Sequence, residues 1–480
     1  MTAFVKPTLL ANAIEAQFAV PRVATKRLKF KTTNGKRKIV VSSNWLPLFN
    51  FNAGDDMTTR SLGSGKGLVA ELVTDLFTPD KGTKKVYKRT YPKRKNNPIE
   101  TLVEISAKKI IDKSFLFNAS GVHVKFEANK LTFTPITDFK DEVISNIKFE
   151  NRYSIFAACS SGVDLHLMEQ EHGFNTHSLA EWRPNERRNK RDYSETGALA
   201  ALRNLKSGIK NLFNEDITFI SATMLEKAVK GDPAMVFMAS PQCDDYTPLK
   251  TKKMKADHVE DLSSSMDMAF DMLRVGMAVQ APIIKFEQVQ GWYKSDAYKI
   301  LSLRLRKLGY KENLLVANAS DYNGLTNRTR GYCVFTLLDV PFEFEAASGQ
   351  SEDSIWPIVE KHLPECRDVT HSKSLQDGKR IGRLRTITPD STKSPTILKS
   401  QSRCAKDSMV IEQDGRLIWP SEPLVKELMG VPNFKTDCVS QEFAYEIIGQ
   451  SVDAQLHSSV ARSVKKHIDL YFSELEKKAA

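Results

Sequence analysis

The stretch of the chain that decides the fold reads Met235-Val236-Phe237-Met238-Ala239-Ser240-Pro241-Gln242-Cys243. Its apolar part has the length of one buried strand, and it ends at a Ser-Pro pair that delivers Cys243 into a polar loop. A thiol at the carboxyl end of a parallel strand lies where open α/β sheets bind ligands. Because most free cysteines are simply small buried residues, Cys243 alone leaves a packing role and a catalytic role open.

Segments on both sides of this stretch alternate between strand-like and helix-like patterns, which predicts a mostly parallel sheet from about residue 150. The pattern predicts strands at Tyr153–Ala158, Thr176–Ala180, Asp216–Ile220, Pro282–Val289, Leu314–Asn318 and Tyr332–Leu338, with a helix near Ala198–Leu212. The first strand leads into a turn of small residues, which would let backbone amides approach a ligand. Glu287 follows at another strand end, so it either forms an acid–nucleophile pair with Cys243 or is a solvated group.

Residues 1–150 have a different pattern of short strands and turns, which predicts a strand-rich α+β domain. A helix is expected at Leu68–Phe77. A basic segment with Tyr87 and Tyr91 follows, and it contains Lys88, Arg89, Lys93 and Arg94. Positive charge mixed with aromatic rings suits a nucleic-acid backbone, and a solvated basic hairpin is an equal alternative.

Charge and composition narrow the class of protein. The 480 residues carry a formal net charge of +12, which favours a polyanionic partner such as nucleic acid over a neutral one, although a solvated basic surface remains open. Six cysteines lie far apart with no CxxC pair, so we expect reduced thiols, no metal site and a cytoplasmic location. No apolar run reaches membrane-spanning length, so no membrane partner is expected.

The order of these parts resembles the DNA (cytosine-5) methyltransferase family from about residue 152 onward. Ser240-Pro241-Gln242-Cys243 is similar to its Pro-Pro-Cys loop, Glu287-Gln288-Val289 to Glu-Asn-Val, and Thr326-Asn327-Arg328-Thr329-Arg330 to Gln-x-Arg-x-Arg. Leu428-Met429-Gly430-Val431-Pro432 and Ile448-Gly449-Gln450-Ser451-Val452 are similar to two late blocks of the family. A helical pattern after these blocks matches the segment with which the family completes its cofactor domain.

The resemblance implies a Rossmann-like domain that binds S-adenosylmethionine. The implied cofactor-binding residues are Phe156, Ala157, Gly162, Glu181, Trp182, Asp216, Ile217, Ser240, Pro241, Gln450, Ser451 and Val452. Among them, Glu181 matches the position of the ribose carboxylate and Trp182 that of the adenine-stacking residue. The loop Phe156–Gly162 departs from the Phe-x-Gly-x-Gly-Gly pattern because it keeps one glycine, Gly162.

The resemblance also implies a reaction and the residues that perform it. Cys243 would add to carbon 6 of cytosine, so that carbon 5 can attack the methyl group of the cofactor. Glu287 would protonate ring nitrogen 3, and Arg330 would hold the carbonyl oxygen of the base. Arg328 or Arg330 would lower the pKa of the thiol. The base must leave the helix stack, which implies base flipping.

Four segments follow from the resemblance and the patterns together: a basic accessory domain (1–150), a catalytic domain (151–340), a target-recognition region (341–400) and a returning segment (401–480). The expected DNA contacts are Lys88, Arg89, Lys93, Arg94, Lys250, Lys252, Lys253, Lys379, Arg380 and Arg383. We expect a nucleoid-associated monomer on double-stranded DNA, with a cognate restriction endonuclease as one possible partner. Methylation of RNA cytosine and a catalytically silent DNA-binding or regulatory protein remain the alternatives.

Overall fold

A computed structural model describes residues 19–73, 83–95, 98–184, 191–206, 208–247 and 250–479. The chain divides into two compact units, Met1–Glu142 and Val143–Ala480. In the described residues, every helix is too short or too polar to cross a membrane.

The first unit is built mainly from antiparallel strands. These are β1 (Ala24–Lys29), β2 (Lys31–Thr33), β3 (Lys36–Ser42), β4 (Asp56–Ser61), β5 (Leu68–Leu72), β6 (Lys84–Lys85), β7 (Tyr87–Thr90), β8 (Ile99–Ile105), β9 (Ala119–Glu127) and β10 (Lys130–Thr137), with helices α1 (Lys108–Ser114) and α2 (Phe139–Ser145). Six strands form one sheet in the order β1-β9-β10-β5-β4-β6, and four form another in the order β2-β3-β8-β7. Their apolar faces enclose one core that includes Phe51, Phe126 and Phe133.

The predicted helix at Leu68–Phe77 is wrong over its described part. Leu68–Leu72 is strand β5, which pairs antiparallel with β10 and β4, and residues 74–77 lie outside the described residues. Leu68, Val69, Ala70 and Leu72 are all buried. A central strand that is covered on both faces needs such a continuous apolar run, which periodicity alone does not distinguish from a buried helix.

The second unit contains a seven-stranded sheet with helices packed against it. Its first elements are β11 (Ser154–Ala158), α3 (Val163–His172), β12 (Asn175–Ala180), α4 (Thr196–Asn204), β13 (Asn211–Phe213), α5 (Ala222–Val229), β14 (Val236–Ala239), α6 (Lys252–Glu260), α7 (Met268–Val279), β15 (Ile283–Gln288), α8 (Gln290–Tyr293), α9 (Asp296–Lys307), β16 (Lys311–Asn318), β17 (Thr326–Asn327) and β18 (Thr329–Thr336). The strand order is β13-β12-β11-β14-β15-β18-β16, and only β18 runs antiparallel to its neighbours. The sequence prediction of a mostly parallel α/β sheet is therefore confirmed.

A smaller sheet and the last helices complete this unit. They comprise α10 (Trp356–His362), β19 (Arg367–Asp368), α11 (Lys373–Arg380), β20 (Arg385–Ile387), β21 (Ser394–Pro395), β22 (Met409–Gln413), β23 (Arg416–Trp419), α12 (Glu422–Leu428), α13 (Gln441–Gln450) and α14 (Ala454–Ala479). The four-stranded sheet has the order β19-β23-β22-β20. Helix α14 buries Ala461, Val464 and Ile468 in the same core as residues of β11 and α3, so the end of the chain covers the first strand of the large sheet.

The predicted third strand at Asp216–Ile220 is wrong, and the predicted helix near Ala198–Leu212 is present but shorter than expected. The helix ends at Asn204, the edge strand is Asn211–Phe213, and residues 214–220 form turns. Ile217 and Ile220 are nonetheless buried. The apolar residues that suggested a strand therefore serve as anchors of a loop, and the three-residue strand before them is too short to leave a pattern.

Candidate active site

The carboxyl edge of the large sheet gathers the side chains that carry chemistry. Ala239, the last residue of β14, lies in register with Phe286 of β15, so the chain reaches Cys243 and Glu287 at the same edge. Because β18 is antiparallel to β15, its first residues lie at that edge too, with Tyr332 opposite Glu287. Arg330 therefore reaches the cleft from a strand that begins where its neighbours end.

Glu287 and Arg330 form an ion pair, with Arg330 Nε 3.2 Å from Glu287 Oε1. Burial raises the pKa of Glu287, whereas the positive charges of Arg330 and Arg328 lower it. Burial has the larger effect, so the pKa of the Glu287 carboxyl group is raised.

Cys243 lies half-buried in the cleft. Burial raises the pKa of its thiol and Asp244 raises it further, while Arg330 and Arg328 lower it. The arginines thus act in the expected direction, but burial has the larger effect, so the pKa of the thiol is raised. Gln288 steadies the backbone beside the thiol by donating from Nε2 to the carbonyl oxygen of Pro241, at 2.6 Å.

Asp245 anchors the loop that carries Cys243, a role that the sequence analysis missed. Its buried carboxylate accepts hydrogen bonds from the backbone amide of Ser265 at 2.8 Å and from the Ser264 hydroxyl at 3.0 Å. Lys250 Nζ lies 3.4 Å from the same carboxylate. The loop is thus fixed to the segment before α7. An acidic residue two positions after the cysteine was the only signal in the sequence.

Arg328 lies beneath the cleft and does not line it. Its side chain is 1% exposed and donates to the carbonyl oxygens of Ile397 (2.9 Å), Gly449 (3.2 Å) and Ser451. Burial lowers the pKa of this guanidinium to about 9, and Arg330 adds to that effect. Arg328 therefore ties β21 and the end of α13 to the strand that presents Arg330.

The turn between β11 and α3 forms the floor of the other half of the cleft. Gly162 has a φ of 103°, and a Cβ there would lie 2.4 Å from the Cα of Ala201, so only glycine lets α3 and α4 approach this closely. Cys159 adopts φ 54°, a left-handed conformation that disfavours side chains. Phe156 and Ala157 are fully buried in β11 and shape the turn from below.

Glu181 and Trp182 follow β12 at the same edge and line the cleft. Glu181 is 8% exposed, and burial together with the charge of Asp164 raises its pKa to about 8. A Cβ on Gly197 would lie 2.1 Å from Glu181 Oε1, so α4 leaves room for this carboxyl group only because residue 197 is glycine. A buried carboxyl group beside a half-exposed indole fits the ribose hydroxyls and base of a nucleoside.

Residues from three other segments complete this half of the cleft. Asp216 and Ile217 line the cleft from the turn after β13, and the Asp216 carboxylate accepts a hydrogen bond from the backbone amide of Thr218 at 3.0 Å. Ser240 and Pro241 line it after β14, and the end of α13 contributes Gln450, Ser451 and Val452. The cleft that all these residues share encloses about 1220 Å³ and also contains Cys243, Glu287 and Arg330. That volume suffices for a nucleoside-sized cofactor and a base together.

The predicted nucleic-acid contacts fall into three groups. Lys88, Arg89, Lys93 and Arg94 are exposed in the first unit, on and after β7. Lys250 lines the cleft, and Lys252 and Lys253 are exposed at the start of α6. Lys379, Arg380 and Arg383 are exposed near α11.

Those last three cations are paired with carboxylates. The partners are Glu412 at 2.6 Å, Asp377 at 3.1 Å and Asp407 at 3.7 Å. The positive potential near α11 is therefore weaker than a count of its cations suggests.

A buried ion pair that the sequence analysis missed holds the returning segment onto the cleft. Arg183 donates to both carboxylate oxygens of Glu446 of α13, at 3.1 and 3.3 Å, and stacks its guanidinium 4.6 Å from the ring of Phe443. Residues 183 and 446 are 263 positions apart, so only the fold brings them together.

Neither the protein-family models nor the curated proteins contain a match to this chain. Solved structures do match it. The Dnmt2 methyltransferase of S. pombe is 15% identical, with a TM-score of 0.50 over 65% of this chain and 98% of that one. The methyltransferase EhMeth of Entamoeba histolytica is 16% identical over 65% of this chain and 98% of that one, with a TM-score of 0.49. The S. pombe structure confirms that the fold is that of a methyltransferase.

Proposed function

We propose that this chain is an S-adenosylmethionine-dependent methyltransferase that acts on carbon 5 of cytosine in DNA. The observation that carries the proposal is the convergence of Cys243, Glu287 and Arg330 in one cleft with Glu181 and Trp182. The first three are the groups that nucleophilic activation of a pyrimidine ring needs, and the other two suit a nucleoside cofactor. The methyltransferase fold supports this assignment.

The residues of the cofactor half fit S-adenosylmethionine. Gly162 and Gly197 keep the space around the turn and Glu181 open. Glu181 would accept hydrogen bonds from the ribose hydroxyls, and Trp182 would stack on the adenine. When bound, the cofactor supplies the methyl group. In the turn Cys159-Ser160-Ser161, the buried Ser160 hydroxyl donates to Asp164 and accepts from the backbone amide of Gly162, so it supports the turn.

In the proposed mechanism the protein makes carbon 5 nucleophilic. The Cys243 thiolate forms a bond to carbon 6 of cytosine while Glu287 gives its proton to ring nitrogen 3, so the ring becomes an enamine whose carbon 5 can accept a methyl group. Arg330 holds Glu287 and the carbonyl oxygen of the base. Transfer of the carbon-5 proton to water acting as a base, expulsion of the Cys243 thiolate and return of the nitrogen-3 proton to Glu287 then restore the ring.

Double-stranded DNA is the proposed substrate because of the charge of the protein. The chain has a net charge of +12, and Lys250, Lys252 and Lys253 lie at or near the cleft. A base inside a duplex cannot reach such a cleft, so the target cytosine must flip out. The exposed cations of the first unit are proposed as further backbone contacts.

Nucleoside mass spectrometry tests the proposal. Unmethylated DNA and, in parallel, unmodified RNA are incubated with the protein and S-adenosylmethionine. We expect 5-methyl-deoxycytidine with the parent protein and with Cys438→Ala, which removes an exposed cysteine, but none with Cys243→Ala. Product on RNA alone would replace the DNA assignment, and no product on either polymer would contradict the reaction itself.

A further inference from the structure

A lysine lies at the centre of the catalytic unit without any contact with the cleft. Lys285 occupies the middle of β15 and is 0% exposed. Side chains two residues apart on a strand share a face, so Lys285 lies on the same face as Glu287. Burial of an ammonium group is costly unless other groups compensate for it, and such groups are often retained for function.

The partners of Lys285 are neutral groups from three elements. Its Nζ lies 3.3 Å from Nε2 of His457 on α14 and 3.2 Å from the sulfur of Met238 on β14. It also lies 5.6 Å from the centre of the Tyr332 ring on β18. Throughout the described part of the chain, no carboxylate is within ion-pair distance of this ammonium group.

The protonation states of this cluster leave a positive charge below the cleft. Burial lowers the pKa of His457 well below its usual value, so its neutral imidazole accepts a hydrogen bond from Lys285. Burial also lowers the pKa of Lys285, to about 8, while the charges of Asp164 and Glu287 oppose that effect. The negative charges of Asp164 and Glu287 thus favour the charged form of Lys285.

Four charged groups act on Glu287 from the surrounding elements. Arg330 and Arg328, at the start of β18 and just before it, and Lys285 on β15 favour its carboxylate form, whereas Asp164 on α3 disfavours it. Arg330 and Arg328 have other partners: Arg330 also donates to the carbonyl oxygen of Thr329, and Arg328 donates to three carbonyl oxygens. Lys285 differs from both arginines. Its hydrogen-bond partners are the side chains of His457 and Met238, which are neutral, and none of them is a carbonyl oxygen.

We propose that Lys285 is a positioning residue for the methyl-transfer reaction, whose buried ammonium group stabilises the carboxylate that Glu287 becomes when it gives up its proton. This inference rests on the proposed function. As Cys243 Sγ bonds to carbon 6, the displaced electron pair reaches ring nitrogen 3, which takes the proton of Glu287. Negative charge thus moves from the sulfur to Glu287, above Lys285, so the ammonium group favours the product side of this step.

The titration of Glu287 measures this effect directly. Carboxyl-labelled glutamate gives a ¹³C NMR signal for each glutamate, and Glu287→Gln identifies the signal of residue 287. A charge about 7 Å away shifts a pKa by roughly one unit or more at an effective dielectric constant of about 20. We therefore expect the midpoint of Glu287 to rise by about one unit in Lys285→Met.

Two control variants separate charge from packing. Lys285→Arg keeps the positive charge and is expected to keep the midpoint near that of the parent protein. Lys299→Met makes the same substitution at an exposed lysine that pairs with Asp296, and it should leave the midpoint unchanged. If Lys285→Met does not fold, Lys285→Gln takes its place, since it removes the charge and retains a hydrogen-bond donor for His457. A folded, uncharged variant with an unchanged midpoint would overturn the proposal.

Kinetics then connects the charge to the reaction. In Lys285→Met we expect kcat to fall about tenfold, with KM for DNA unchanged and the alkaline limb of the pH profile moved upward, because Glu287 becomes a weaker acid. Lys285→Arg should restore kcat. Equal losses in both variants, or a loss confined to KM, would indicate a structural role and refute the proposal. Since the NMR titration uses neither cofactor nor DNA, a shifted midpoint in a protein that methylates nothing would overturn the proposed function, whereas an unchanged midpoint in an active protein would overturn only the role of Lys285.

Discussion

Replacement of Gly197 by alanine tests the cofactor half of the cleft with a single methyl group. The new Cβ would lie 2.1 Å from Oε1 and 2.9 Å from Cδ of Glu181. Non-bonded atoms approach to about 3.5 Å, so the carboxyl group would have to move by about 1 Å or more. Glu181 is buried, which leaves it little free space for such a movement.

Gly197→Ala has two opposing effects on the free energy of unfolding, one on the helix and one on the packing around Glu181. Alanine stabilises a helix interior by about 1 kcal/mol relative to glycine, whereas overpacking of a buried site costs about 1–3 kcal/mol. Stability should therefore change little or fall modestly. A hydrogen bond contributes about 0.5–1.5 kcal/mol, so the loss of one proposed ribose contact of Glu181 weakens binding by roughly 2- to 12-fold.

Calorimetric titration with S-adenosylmethionine measures the loss. Gly208→Ala is the matched control, since a Cβ at residue 208 meets no atom within 4 Å. When Glu181→Ala is already present, Gly197→Ala should have little further effect on the affinity for S-adenosylmethionine, because the carboxyl group that the new Cβ would displace is absent. Unchanged affinity in Gly197→Ala, or the same loss in both backgrounds, would refute the assignment of Glu181 to the cofactor.

Three further outcomes follow from the electrostatics of the second unit. Burial raises the pKa of Glu181 from 4.5 to about 8, so between these pH values the folded protein binds a proton that the unfolded chain releases. The free energy of unfolding in urea should therefore fall as pH rises from 4.5 to 8. Glu181→Gln should reduce that fall. Arg183→Met leaves the buried carboxylate of Glu446 without its main partner and should lower the free energy of unfolding by about 3 kcal/mol. Arg203→Met, in an exposed pair with Asp437, should lower it by less than about 1 kcal/mol. Equal losses in the two variants would contradict the difference in burial. Arg330→Met removes a positive charge that lowers the pKa of Cys243, so the midpoint of iodoacetamide alkylation should move to higher pH, and a downward shift would count against the arrangement.

The parts of the site that follow strand ends were predictable from the sequence. Cys243 follows the end of β14 and Glu287 lies near the end of β15, and parallel strands bring such ends to one edge. The family resemblance, not the strand pattern, predicted Arg330 as a site residue. The structure explains its position: β18 is antiparallel to β15, so the beginning of β18 lies beside the end of β15. Strand direction depends on long-range pairing, which a local pattern does not encode.

The parts of the site that depend on contacts distant in sequence were not predictable. Arg183 meets Glu446 across 263 residues, and Lys285 meets His457 across 172. In the sequence Lys285 is only one polar residue inside an apolar strand, and nothing local shows that a histidine of α14 will accept a hydrogen bond from it. The wrong prediction of a helix at Leu68–Leu72 has the same cause, because pairing with β10, which is distant in sequence, and with β4 makes this segment a strand.

The dependence of the first strand of the large sheet on the last helix has a consequence for biosynthesis. Residues of β11 share a core with Ala461, Val464 and Ile468 of α14, which leave the ribosome about three hundred residues later. The strands of the second unit therefore remain partly uncovered until residues 461–468 have been made, whereas every described strand of the first unit is present once residue 137 is made. A chain stalled before α14 would leave the apolar residues of β11 and α3 without the part of their core that α14 supplies, and exposed apolar surface of this kind is prone to aggregation.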